Sequence, residues 1–151
     1  MEWLVLIHVL SAIIGVGPTF FGHVLFRNRQ TIGELKQSYK LGSKLDFFPK
    51  IGGGIAVLSG IALVIWSGMG FGHFWIIASI ILYIAIQIVA VGIIMPMSKK
   101  MNIWLQETKL SDSHFPPAPQ AALLNKVNKL YYVCSALGTL LFIMMILKPV
   151  F

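Results

Sequence analysis

Apolar residues dominate four stretches of this chain, 3–26, 48–68, 71–95 and 130–147, and charge is confined to their boundaries and to the segments outside them. A hydrocarbon core of about 30 Å takes roughly 20 helical residues to cross. Three stretches reach that length, and the last lies near the lower limit. Boundary residues aside, none contains Asp, Glu, Lys or Arg. Inside lipid every backbone polar group needs an internal partner, so such stretches predict helices rather than loops or open strands. The pattern predicts an all-α chain, an integral membrane four-helix bundle forming a single transmembrane domain over 1–151.

Composition strengthens this reading. Of the 151 residues, 57% are hydrophobic, more than a water-soluble domain of this size carries. The net charge of +7 sits in loops bordering the spans, where lipid headgroups explain it better than nucleic acid does. One connection carries Arg27, Arg29, Lys36, Lys40, Lys44 and Lys50; another carries Lys99, Lys100, Lys109, Lys126 and Lys129. Basic loops mark the cytoplasmic side, so the expected topology is N-out and C-out. A bacterial cytoplasmic (inner) membrane, crossed several times, is the expected location. The first span lacks a basic leader and a convincing cleavage site, and is expected to be retained. Cys134 is the only cysteine, which excludes an intrachain disulfide and suggests a small packing residue.

The connections have their own signals. Lys36, Lys40 and Lys44 repeat every four residues and would share one helix face, with Leu41, Leu45 and Phe48 on another. This predicts either an interfacial helix in the first cytoplasmic loop or a solvated extension of the second span. Pro116, Pro117 and Pro119 forbid a regular helix across 114–118, and Pro119 is placed to begin the last one. Gly17-Pro18 predicts a kink or opening in the first helix, and Pro96 an end or bend in the third.

Helices in lipid associate through small residues and hydrogen bonds rather than hydrophobicity. The first helix offers Ser11, Ala12, Gly15, Thr19 and Gly22, and the second a ridge of Gly52, Ala56 and Gly60. Ser79, Tyr83 and Gln87 mark the third, and Tyr131, Ser135, Gly138 and Thr139 the fourth. Each helix thus has one small or polar face, and the four faces predict a mildly polar interior.

Chemistry in such an interior falls to few residues. His8 lies about two turns into the first span, on its small-residue face. An ionisable group at that depth is a functional candidate. A neutral imidazole there suits an axial haem ligand, or a hydrogen bond to Ser, Tyr or Gln on a neighbouring helix. His73 opens the third span on the same side, either as a partner ligand for one cofactor or as an interfacial residue beside Trp75. His23 lies about 22 Å along the helix from His8, too far to share a metal ion. His114 is expected to be solvated. Met95, Met97 and Met101 bracket Pro96, and thioethers bind Cu(I), although packing is their commoner role. The spans contain no carboxylate for ion-coupled transport, and no catalytic triad or phosphate loop is evident.

The opening run from Trp3 through His8-Val9-Leu10 to Gly15-Val16-Gly17-Pro18 resembles a bacterial integral-membrane family, domain of unknown function 2269. That resemblance implies four membrane helices and no established activity. A more distant similarity, carried by Trp3 followed by His8, is to HemJ-type protoporphyrinogen oxidases and CopD-type copper-resistance domains. It implies haem b, with His8 as a ligand. HemJ-type proteins carry Pro-Arg in the first helix, whereas Pro18 is followed by Thr19, so haem binding carries over better than catalysis.

The expected function is therefore haem-b binding for electron transfer or haem handling, with His8 and His73 as iron ligands. Alternatives are a transporter or channel for a small solute or metal such as copper, and an accessory or assembly subunit of a membrane complex. The expected partners are the lipid bilayer and a second copy or membrane-complex subunit.

Overall fold

The computed structural model describes residues 1–149, and most of them are helical. The elements are α1 (Glu2–Phe20), α2 (Gly22–Leu25), α3 (Ile32–Leu45), α4 (Phe47–Ser67), α5 (Phe74–Gln87), a π-helical segment (Ile88–Ile94), α6 (Met95–Glu107) and α7 (Ala118–Leu147). No strand occurs among the described residues. They join into rods at Glu2–Leu25, Ile32–Ser67, Phe74–Glu107 and Ala118–Leu147, each long and apolar enough to cross a membrane. α1 packs mainly on α4 and α5 on α7, while α1 also meets α7.

The prolines behave differently from one another. Pro18 stays inside α1, and the helix breaks three residues later at Phe21 before resuming as α2. Pro96 neither ends nor interrupts its rod, because α6 continues to Glu107. The seven-residue π-helical segment ends two residues before it. A widened turn there accommodates a residue that lacks an N–H and crowds the preceding turn. Pro119 starts the last helix as expected, with Pro117 at the N-cap position.

Three rods are longer than lipid requires, at 36, 34 and 30 residues. The 34 residues of Phe74–Glu107 would measure about 51 Å against a hydrocarbon core of about 30 Å. The surplus carries Lys99 and Lys100, and α3 and the first turns of α7 meet it to form a cap at the basic end. Ile32, Leu35, Met101 and Val127 are wholly buried there, joined by Phe26, Tyr39, Leu105 and Leu124. The first connection forms a helix, α3, continuous with the second span in one rod. α3 abuts α4 through Asp46 and buries Ile32, Leu35 and Tyr39 against the other rods. Leu41 and Phe48 of the expected apolar face are exposed, as a face turned toward headgroups would be.

Polar groups fasten the cap. The Thr31 hydroxyl accepts from the Glu34 N–H at 3.3 Å, and the Glu34 carboxylate accepts from the Thr31 N–H at 2.8 Å. This reciprocal box satisfies backbone donors at the start of α3. Buried Gln30 donates to the Leu25 and Arg27 carbonyls and accepts from Ser38. Asn128 donates to the carbonyls of His23 at 2.7 Å and Phe26 at 3.2 Å, clamping α7 to the end of the first rod. The loop before α7 docks on α3, where the Ile32 N–H donates to the His114 carbonyl at 2.9 Å.

Candidate functional site

The seam between α1 and α4 is built by missing side chains. A Cβ on Gly15 would stand 2.5 Å from the Gly53 nitrogen, and one on Gly52 would stand 2.7 Å from the Gly15 Cα. Only glycine permits backbones this close, and the four-residue spacing of Gly52, Ala56 and Gly60 carries the approach along the helix. Ser11, Ala12 and Gly15 are buried in the same seam, as their shared face predicted.

His8 lies where the seam reaches Gly60. A Cβ on Gly60 would meet His8 Cε1 at 2.9 Å, so the ring fills space that only glycine leaves. His8 Nδ1 is 2.8 Å from the Ala56 carbonyl oxygen and 3.3 Å from Ser59 Oγ. A carbonyl only accepts, so Nδ1 carries the proton and donates to it. The Ser59 hydroxyl sends its own proton to the Ile55 carbonyl at 2.6 Å. In the neutral ring Nε2 therefore holds the lone pair, and no described residue hydrogen-bonds to it. The ring is half-buried and held by its neighbour helix, so the expected contact to a serine is present.

His73 is placed differently. It precedes α5 with an extended backbone, is exposed, and its side chain does not cap the helix. Neither a hydrogen bond nor a ring contact joins it to His8. Nearby, Lys148 Nζ stands 5.4 Å over the Trp75 ring, tying the end of α7 to the start of α5. His23 packs against Tyr132 in a tilted arrangement with ring centroids 4.3 Å apart, and its buried Nδ1 has no partner. His114 is exposed. Met101 is wholly buried in the cap whereas Met95 is exposed, so the methionines around Pro96 do not face one point. No group of three His, Cys, Asp or Glu side chains suited to a metal ion occurs among the described residues.

Of the other small or polar faces, Ser79 and Gly138 are buried, but Gln87 and Thr139 are exposed. Sequence reasoning did not find a cavity of about 290 Å³ at the basic end, beside the break at Phe21. It lies between the first rod, the α3–α4 junction and Tyr131, and its pattern is dispersed over residues from 18 to 131.

With this geometry in view, comparison with known families is informative. The family described as "predicted integral membrane protein (DUF2269)" matches residues 2–149. The chain belongs to that family. DUF2269 membership agrees with the four candidate spans and carries no activity with it. No curated protein and no solved structure matches the chain. The distant HemJ-type and CopD-type similarity is not shown by these comparisons.

Proposed function

We propose that this DUF2269 protein binds haem b in its bilayer-spanning half, with His8 as an axial ligand, and serves electron transfer or haem handling in a bacterial inner membrane. The observation that carries this reading is the Nδ1–H bond to the Ala56 carbonyl. Metal-bound histidines characteristically donate the other ring N–H to a carbonyl or carboxylate, which fixes the tautomer and raises ligand basicity. Here the same bond directs the lone pair to Nε2. The donor set fits one axial bond to iron, and haem would supply one-electron chemistry. This chain's contribution is to orient the imidazole and surround it with apolar helix. His73, exposed at the start of α5, is the candidate for the second ligand.

The test is a haem titration of the detergent-purified protein against His8→Gln and His73→Ala. Gln retains a donor for the Ala56 carbonyl but offers no imidazole. Saturable binding at one haem per chain, lost in His8→Gln and weakened in His73→Ala, is expected. Equal binding by wild type and His8→Gln would remove the proposal. The scattered methionines give the copper reading no common ligand set.

A further inference from the structure

The cavity at the basic end has an amphiphilic character that the haem reading does not use. Its lining is mainly apolar and includes Pro18, Phe21, Leu41, Leu45 and Pro49. At about 290 Å³ it lies at the lower end of the range for small-molecule sites. Phe21, Val24 and Leu41, also in its lining, are exposed, so its wall continues onto the apolar surface of the rods. Two charged residues line it as well, Arg27 and Asp46. It sits where apolar helix gives way to the basic connection, the depth at which headgroups meet acyl chains.

The charges are of opposite sign and differ in engagement. Arg27 makes an exposed pair with Glu34 at 3.5 Å, which uses one of five guanidinium N–H donors. Asp46 is exposed and forms no ion pair among the described residues. An unpaired carboxylate beside an apolar cavity is the wrong charge for a site that merely collects anionic lipid. We infer that the cavity binds one phospholipid with a primary-amine headgroup, its phosphate at Arg27, its ammonium at Asp46 and the start of an acyl chain among Leu41, Leu45 and Phe21. A phosphoethanolamine head has both charges, and its ammonium donates hydrogen bonds that a quaternary amine lacks. The break at Phe21 helps to make the opening, because residues on both sides of it line the cavity. The lipid is drawn from the leaflet facing the basic connections.

The full chain in detergent, supplied with equal amounts of phosphatidylethanolamine, phosphatidylcholine and phosphatidylglycerol, would be examined by native mass spectrometry. One phosphatidylethanolamine should be retained over the other two by about tenfold, the scale of a charge-assisted hydrogen bond. Asp46→Asn should abolish the preference for ethanolamine over choline, and Leu41→Trp should reduce retention of all three lipids. Both positions are exposed, and unchanged thermal unfolding would show that each variant folds. Equal retention of the three lipids, a preference for phosphatidylglycerol, or an ethanolamine preference surviving in Asp46→Asn would overturn the assignment.

Discussion

The α1–α4 seam and the cap at the basic end solve the same problem in opposite ways. In the seam, Gly15 meets Gly52 and Gly53 backbone to backbone, while large side chains such as Leu58 and Ile65 point outward. In the cap, Ile32, Leu35, Met101 and Val127 are fully enclosed, as in a water-soluble core. The solvent explains the contrast. Lipid gives apolar side chains no reason to turn inward, so contact comes from close backbones and dispersion. Water expels the same side chains, so helix ends that outrun the bilayer collect a conventional core. One rod can obey both rules along its length, as α5 and α6 do.

If this contrast is right, the seam should be the more brittle region. Gly15→Leu or Gly52→Leu places atoms into backbone that has no rotamer to move, and should cost about 3 kcal/mol or more, seen as loss of thermal stability in detergent. Gly54→Ala, on the same helix but with open space around it, should change stability by less than about 1 kcal/mol. Equal effects at Gly52 and Gly54 would break the comparison. The cap should respond to cavities instead, with Leu35→Ala or Met101→Ala costing about 2–5 kcal/mol. Hydrogen exchange should then quicken in α3 and α6 before α1 and α4. Asn128→Ala leaves the His23 and Phe26 carbonyls without their side-chain donor, and should cost about 1–3 kcal/mol by the same unfolding assay. The smallest effect is expected at the Lys36–Asp112 pair, 2.7 Å apart but largely exposed. Lys36→Ala should lower stability by under about 1 kcal/mol, and the difference should vanish in high salt.

The same contrast explains what could be read from sequence. Membrane spans announce themselves by length and by the absence of charge, and the seam by glycine at four-residue spacing. The ridge of Gly52, Ala56 and Gly60 and the position of His8 beside it were accordingly legible. The cap was not, because its core gathers single residues from segments as distant as Phe26, Met101 and Leu124. α3 was legible as a helix with an apolar face at Leu41 and Phe48, but its second apolar face, Ile32, Leu35 and Tyr39, was not. Leu41 and Phe48 look as hydrophobic as Leu35 and Tyr39, and only the partners decide which set is buried.

Gln87 shows a geometric limit. A four-residue repeat drifts by about 40° per step around a helix of 3.6 residues per turn. A stripe begun at buried Ser79 has therefore turned away from the packed face by Gln87. The cavity beside Phe21 left no local signal, since a helix break and a junction sixty or more residues from Tyr131 must fold together before it exists.

The central functional claim is that α4 holds the His8 imidazole by Nδ1 so that Nε2 is offered to iron. Its most direct measurement is the absorption spectrum of the full chain purified in mild detergent from haem-replete cells, before and after reduction. A Soret band that shifts on reduction in the wild type and is missing from His8→Gln of equal fold stability is the predicted result. Colourless wild-type protein, or an unchanged band in His8→Gln, would contradict it.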